Sequence, residues 1–328
     1  MHVEVMKEEQ KILTVSDPML PFDRQLDEII CAIENPVFIR FFLSDTATQT
    51  AALRERLRWN CPISIIGQPP LNGTKIAAWV WSCKDAEISI ADGLYRIGEW
   101  YWYTGGLSGK EDSYGQTIEL LDDFSARLES AGMTLEDNCA RTWFFVQNID
   151  VNYKGMVEGR NHVFDSHNLT AGTHFIASTG IQGRTADHRN VVMMDAVATR
   201  EKITHLYGLS HLNRTSDYGV RFERGSVVGN TVFISGTASI DNMGNVVFPG
   251  DIVRQTGRML ENVKVLLEEA GCSCSNIQSM LVYLRDPADY MVVKAIFEER
   301  FPRQPWIILL APVCRPGWLI EMECVAAK

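Results

Sequence analysis

A pattern that occurs three times along the chain is the strongest constraint on its fold. In each occurrence a strand-like run ends in a short polar segment with an aspartate, and an amphipathic helix follows. The three aspartates are Asp45, Asp150 and Asp286. Internal repetition of this kind is typical of folds built from similar units that pack against one another. Each aspartate is placed to cap its helix, because a carboxylate can accept the free backbone N–H groups of the first turn.

Each predicted helix is followed by two more strand-like runs, which lie within residues 61–81, 175–198 and 306–326. Gly, Pro or Asn occurs between the two runs of each pair, as at the connection of a β-hairpin. The sequence therefore predicts three hairpins, one at the end of each repeat.

The second and third repeats also have a front half, a strand pair over 95–109 or 229–250 followed by a helix. Both of these helices end at Ala-Gly, a common C-terminal signal. The complete order predicts an α+β fold of tandem units, each a mixed β-sheet with two helices on one face. We expect an N-terminal degenerate half-unit over 1–85, with only the second half of the pattern, and full units over 86–205 and 217–328.

The charge balance restricts the class of ligand. The chain has 328 residues, with 31 basic and 41 acidic side chains, and a net charge of −10. An acidic chain is a poor general binder of nucleic acid or of anionic membrane, because both need basic surface. A small anionic metabolite needs only a locally basic pocket, so we expect a partner of that class and neither nucleic acid nor membrane.

The rest of the composition is typical of a cytoplasmic protein without a cofactor. The N-terminal residues lack the apolar core of a signal peptide, and no apolar run approaches the roughly 20 residues of a membrane span. The eight cysteines do not form a disulfide framework, so we expect them to be reduced. Cys272 and Cys274 lack a second ligand pair at metal spacing, and no metal site is predicted.

Two glutamates near the C-terminus are the candidate catalytic groups. Glu321 and Glu323 are two residues apart on a predicted strand, so their side chains share a face. Aligning the last repeat with the middle one places Glu323 opposite Asp195 and Glu321 opposite Met193. A carboxyl group in an apolar strand has a raised pKa when it is desolvated, as a general acid near neutral pH requires. The alternative is a solvated glutamate on an exposed strand face.

Five other residues are candidates for binding an anion or shaping its pocket. Arg141 and Arg285 could each form a bidentate contact with a carboxylate, or could pair with acids of the protein itself. Tyr218 could donate a hydrogen bond or simply pack. Arg315 is a second possible anion contact. Its neighbour Cys314 has no local histidine to activate it, and a small buried apolar residue is the alternative interpretation.

Short motifs resemble a known superfamily. They are ARTW at 140–143, TGI at 179–181, YG at 218–219, FIS at 233–235 and CRPGWLIEME at 314–323. Together with the repeat, they resemble the YjgF/RidA superfamily, whose small units assemble as trimers with sites between subunits. The tandem arrangement resembles the chorismatases within it. The resemblance implies either a monomeric pseudo-trimer or a homo-oligomer.

The resemblance implies a reaction and a set of roles. Chorismatases hydrolyse chorismate to pyruvate and a hydroxylated ring acid. Glu321 would be the acid, in a site between the middle and last units. Arg141 and Arg285, with Tyr218 or Arg315, would hold the carboxylates. Cys314 would shape the pocket and influence which ring product forms.

One position departs from the superfamily. RidA imine deaminases use an arginine fifteen residues before the glutamate that matches Glu321, and here Trp306 occupies that position. Three alternatives nevertheless remain open at this point. They are an imine or enamine deaminase, a ribonuclease-like translation inhibitor, and a binding protein for a small metabolite without catalysis.

Overall fold

A computed structural model describes residues 9–328, with Tyr218 described by its backbone alone. The N-terminal unit is a four-stranded sheet of strand order β1-β4-β2-β3 with two helices. Its elements are β1 (Glu9–Thr14), α1 (Phe22–Ala32), β2 (Pro36–Leu43), α2 (Thr46–Arg56), β3 (Ile63–Gly67) and β4 (Ile76–Ser82). The unit thus contains more than the predicted second half, because β1 and α1 precede it.

The middle unit is a six-stranded sheet of strand order β5-β6-β7-β10-β8-β9. Its elements are β5 (Ile88–Ala91), β6 (Leu94–Ile97), β7 (Trp100–Gly106), α3 (Ser113–Ser130), the single turn α4 (Leu135–Asn138), β8 (Cys139–Val146), α5 (Ile149–Ser166), β9 (Ala177–Gln182) and β10 (Val192–Thr199).

The last unit repeats the strand order of the middle unit, as β11-β12-β13-β16-β14-β15. Its elements are β11 (Ile203–Leu206), β12 (Gly225–Val228), β13 (Thr231–Ala238), α6 (Ile252–Glu269), β14 (Ile277–Leu284), α7 (Tyr290–Arg300), β15 (Trp306–Leu310) and β16 (Ile320–Ala327). The predicted fold of tandem mixed sheets is confirmed. Strand β11 begins before residue 205 and belongs to the last sheet.

The predicted hairpins are wrong in all three units. Strand β3 pairs in parallel with β2, β9 with β8, and β15 with β14. In each case a helix connects the two parallel strands, as the crossover between parallel neighbours requires. The final strand of each unit pairs with the other edge of the first strand of that parallel pair. Thus β4 is antiparallel to β2, β10 to β8 and β16 to β14.

The predicted helix caps are confirmed at two of three aspartates. Asp45 accepts a hydrogen bond from the backbone N–H of the second residue after it, and so does Asp286 at the short turn before α7. Asp150 does not cap its helix, because α5 begins one residue earlier and Asn148 is the N-cap. The carboxylate of Asp150 instead forms a salt bridge with Arg285.

The three units close a ring within one chain. Isolated bridges join Gly67 to Arg184, Ile181 to Val313, and Leu309 to Pro70, so each unit is bonded to the next. Helices lie outside the ring, and the inner sheet faces meet in an aromatic core. Its rings belong to Phe38, Trp79, Trp81, Trp102, Trp143 and Phe233. Within residues 9–328, no helix is long and apolar enough to cross a membrane.

Candidate active site

A pocket lies between the middle and last units. The middle unit supplies residues from α5 and β9, and the last unit supplies residues from β13 and β16. The lining residues are Tyr153, Arg160, Ser178, Thr179, Gly180, Val220, Phe222, Arg224, Gly236, Ala238, Ile240, Cys314, Arg315, Trp318 and Glu321.

Glu321 is the acidic group of this cavity. It lies on β16 opposite Ala238 of β13 and Tyr283 of β14, and its side chain is only 5% exposed. Burial is the larger cause and the neighbouring carboxylate of Glu323 the second, and together they raise the pKa of its carboxyl to about 8. Glu321 is therefore protonated at neutral pH, as a general acid must be.

Gly236 of β13 leaves the space that the Glu321 carboxyl group occupies. A Cβ at position 236 would overlap Oε1 of Glu321. The backbone N–H of Gly236 donates a hydrogen bond of 2.9 Å to Oγ1 of Thr179, which ties β13 to β9 across the unit boundary. The glycine at position 236 thus allows the Glu321 carboxyl group to lie at the boundary between the middle and last units.

Three arginines give the cavity its positive charge. Arg160 comes from α5, Arg224 precedes β12, and Arg315 lies in the loop before β16. Arg160 and Arg224 are buried. Arg224 donates to the backbone carbonyl and the side-chain carbonyl of Asn213, both at 3.2 Å, and its guanidinium lies 5.4 Å from the centre of the Phe222 ring. A buried set of guanidinium groups is suited to a ligand with more than one carboxylate.

Sequence reasoning identified only Arg315 among these three. Arg160 lies on the buried face of α5, four residues from both Met156 and Phe164. An arginine on the apolar stripe of a helix is therefore the signal that could have identified it. Arg224 lies outside any periodic segment, and its position depends on how the connecting stretch folds back over β9.

Arg141 does not line the cavity. Its side chain is 1% exposed, and its guanidinium donates to Glu323 at 2.5 Å, to Ser235 at 3.1 Å and to Thr179. It lies behind the cavity wall, where its positive charge opposes the rise in the pKa of Glu321. The structure therefore places Arg141 near Glu321 but outside the lining of this cavity.

Arg285 also lies outside the cavity lining. It donates to both carboxylate oxygens of Asp150, at 2.7 and 3.1 Å, and to the backbone carbonyl of Val313 at 2.5 Å. These bonds hold the start of α5 against the loop that leads to Cys314. Pairing with an acid of the protein is the alternative that the sequence left open for Arg285.

Cys314 lies in the cavity wall, where it is hydrogen-bonded to Tyr153. Burial raises the pKa of its thiol to about 12, so the thiolate that a nucleophile requires is scarce at neutral pH. Tyr218 ends a short turn over Thr215–Tyr218, and its side chain lies outside the described part of the chain.

A pocket more open to solvent adjoins the first. The two share Tyr153, Val220, Cys314 and Arg315 in their walls. These four residues form the boundary between an inner space next to Glu321 and an outer space that opens beside α5.

The registers of the central strands confirm the alignment of the carboxylates. Glu323 lies opposite Leu281 of β14, and Asp195 lies opposite Trp143 at the matching position of β8. Asp195 forms a buried salt bridge of 2.8 Å with Arg40 of β2. In the described residues, no three His, Cys, Asp or Glu side chains are grouped as a metal site.

A three-unit ring of mixed sheets, with an acid and arginines between two units, defines a tandem protein of the YjgF/RidA type. The endoribonuclease L-PSP family model matches residues 217–328. A RutC family protein of Pyrococcus abyssi is 37% identical over 103 residues, which cover 31% of this chain and 81% of the relative. The chain therefore belongs to the YjgF/RidA family, with the sequence similarity in its last unit.

Two further comparisons cover different shares of the chain. The 3-aminoacrylate deaminase RutC of Acinetobacter baylyi is 34% identical over 99 residues, 30% of this chain and 79% of the relative. The crystal structure of a chorismatase superposes with a TM-score of 0.73 and 18% identity, covering 99% of this chain and 100% of that one. The described part of the chain thus has the chorismatase fold.

Proposed function

We propose that the protein hydrolyses the enolpyruvyl ether of chorismate, or of a similar small dicarboxylate, to release pyruvate and a hydroxylated ring acid. The observation that carries this proposal is the combination of a buried, protonated Glu321 with three arginines in one cavity. A dianionic substrate needs the positive charge, and an enol ether needs the acid.

Binding would neutralise the substrate. Two carboxylates entering the cavity would pair with the guanidinium groups of Arg160, Arg224 and Arg315, which replace their hydration. Ala238, Ile240 and Trp318 supply apolar wall for a ring. A cavity of this composition, with a few converging polar groups on an apolar surface, is typical of a small-molecule site.

Glu321 would perform the proton transfers. Its carboxyl proton would add to the methylene carbon of the enol ether, which becomes a methyl group and leaves an oxocarbenium carbon. Water would attack that carbon and give a proton to the Glu321 carboxylate. The resulting hemiketal would then collapse, its hydroxyl proton passing to the ring oxygen as pyruvate leaves. A general acid of this kind accelerates a reaction typically about 10²–10⁴-fold.

A RidA-type deaminase is the second candidate. It is favoured by the similarity of about 30% of this chain to a 3-aminoacrylate deaminase. Against it, position 306 holds a tryptophan whose ring lies 5.8 Å from that of Phe297 and whose indole N–H donates to the carbonyl of Phe301. Trp306 therefore packs against α7 and supplies no guanidinium for an imine substrate.

The test is release of pyruvate from chorismate, measured with lactate dehydrogenase and NADH. The wild type should release pyruvate, and Glu321→Gln should release it about 10²–10⁴-fold more slowly. Ammonia from an enamine substrate is measured in parallel. Ammonia without pyruvate would favour the deaminase. Binding of chorismate without either product would instead identify a metabolite-binding protein and contradict the proposed hydrolysis.

A further inference from the structure

Glu321 and Glu323 share one face of β16 but lie in different surroundings. Glu321 faces the cavity beside Gly236, whereas Glu323 points into the closed centre of the ring. Both side chains are at least nine-tenths buried. Two carboxyl groups on one face of a buried strand repel each other when both are ionised, so the charge of Glu323 acts on Glu321.

The surroundings of Glu323 stabilise a negative charge. Its oxygens accept hydrogen bonds from Tyr283 at 2.7 Å, from the indole N–H of Trp143 at 3.0 and 3.1 Å, from Thr179 at 2.5 Å and from Arg141 at 2.5 Å. These contacts, one of them charge-assisted, hold the carboxylate in one position. The donors come from β8, β9 and β14, so the middle and last units both fix this carboxylate.

The N-terminal unit adds a second positive charge on the far side of Glu323. Nη1 of Arg40 lies 4.0 Å from Oε1 of Glu323, while Nη2 of Arg40 pairs with Asp195. The Arg40 guanidinium is enclosed by aromatic rings, with that of Trp143 at 4.7 Å. All three units thus contribute to the position of the Glu323 charge.

We propose, on the basis of the function proposed above, that Glu323 is a positioning residue whose carboxylate keeps the proton on Glu321. Glu323 does not touch the cavity in which the substrate would bind. It acts through Glu321, because a fixed negative charge two residues away on the same strand face opposes ionisation of the acid. The ring of three units thereby sets the protonation of a site that lies between only two of them.

Other charged or titratable groups act on Glu321 from the neighbouring elements. The positive charges of Arg141 on β8 and of Arg224 before β12 favour its ionisation and oppose Glu323. Arg160 on α5 and Arg315 in the loop before β16 line the same cavity and add positive charge. The titratable neighbours that are uncharged at neutral pH are Tyr283 on β14, Cys314 in the loop before β16 and Tyr153 on α5. Burial raises the pKa of all three of these groups, so they are neutral over the range in which Glu321 titrates.

The experiment follows the titration of Glu321 without any substrate. Carbon-13 NMR of the full-length protein labelled in its glutamate carboxyl groups reports each titration, and Glu321→Gln identifies the signal of Glu321. In Glu323→Gln the midpoint of Glu321 should fall by about one pH unit or more. Glu299→Gln, at an exposed position on α7, is the matched control and should leave the midpoint unchanged.

A second variant covers the case in which Glu323→Gln does not fold because Arg141 loses its partner. The double variant Glu323→Gln with Arg141→Met removes both buried charges, so no unpaired charge remains. Its Glu321 midpoint should fall by less than that of the single variant, because the two removed charges act in opposite directions. The midpoint of the double variant should also lie below that of Arg141→Met alone, because these two proteins differ only in the charge at position 323. An unchanged midpoint in folded Glu323→Gln, or equal midpoints in the double variant and Arg141→Met, would overturn the proposal.

The pH profile of pyruvate release separates this proposal from the proposed function. If the wild type is active, the upper pH limit of kcat/KM should move down in Glu323→Gln together with the NMR midpoint. If the wild type releases no pyruvate but the Glu321 midpoint still falls in Glu323→Gln, the proposed hydrolysis is wrong. The effect of Glu323 on Glu321 is then still supported. If activity is present and the midpoint does not move, Glu323 is not the positioning residue.

Discussion

The backbone of Gly236 and the carboxyl group of Glu321 are in contact so close that no side chain fits between them. A Cβ built on Gly236 overlaps Oε1 of Glu321 and also lies 3.0 Å from the methyl group of Thr179. Since Thr179 is bonded to Glu323 and to the backbone of Gly236, it has little freedom to move away. The placement of the acid thus depends on a missing side chain on the adjacent strand.

Gly236→Ala should therefore displace Glu321 and lower the rate of pyruvate release. A misplacement of about 1 Å can cost about 10²-fold in rate, and we expect a loss of that order. Gly257→Ala is the control, because a Cβ there meets nothing within 4 Å in α6. It should keep full activity and gain about 0.5–1 kcal/mol of stability. Full activity in Gly236→Ala would contradict the assigned position of the acid.

The stability of Glu321→Gln relative to the wild type should increase as the pH rises. The folded protein keeps a proton up to about pH 8 that the unfolded chain releases near the ordinary Glu value of 4.5. The stability that this proton contributes is complete below pH 4.5 and is lost as the pH rises through about 8. At that pH the loss is at most about 5 kcal/mol, and Glu321→Gln avoids it.

Urea unfolding of the wild type and of Glu321→Gln at pH 5 and at pH 8 measures this difference. The advantage of the variant should be larger at pH 8. Glu299→Gln, on the exposed surface of α7, should show no such pH dependence. A constant difference between wild type and Glu321→Gln across this range would mean that the Glu321 carboxyl ionises at its ordinary pKa.

The sequence predicted those parts of the site that follow from local order along the chain. The strand-to-strand alignment placed Glu323 opposite Asp195 and Glu321 opposite Met193, and the registers agree with this alignment. The hairpins were predicted wrongly, because alternation along a strand does not reveal on which side of a sheet the strand pairs. The helices α2, α5 and α7 connect neighbouring parallel strands, and this chain topology, not the local sequence pattern, determines the strand order.

The arginines show the limit of sequence reasoning more sharply. The contact of Arg141 with a ligand stays a prediction, and the partner that the structure gives it, Glu323, is 182 residues away in the chain. Arg160 and Arg224, which do line the cavity, come from a helix and from a connection. Their convergence depends on the packing of the middle unit against the last, which no single repeat encodes.

Arg224→Met should weaken ligand binding. A charge-assisted hydrogen bond contributes about 1.5–3 kcal/mol, so the Kd of a dicarboxylate should rise about 10- to 150-fold. Calorimetry with chorismate on the Glu321→Gln background measures binding without turnover. Arg189→Gln, at an exposed position in the loop before β10, is the control and should leave the Kd unchanged. An unchanged Kd in Arg224→Met would exclude Arg224 as an anion contact.

Arg141→Ala should mainly lower the free energy of unfolding, with a smaller effect on the affinity for chorismate. It removes the guanidinium that pairs with Glu323 and leaves a buried carboxylate without its charge partner, which typically costs about 3–5 kcal/mol. Urea unfolding at pH 7 measures this loss, and the double variant Arg141→Met with Glu323→Gln should recover part of it, since neither charge then remains. If Arg141→Ala instead keeps its stability and loses affinity for chorismate, Arg141 contacts the ligand. The binding site then extends past Thr179 toward the centre of the ring.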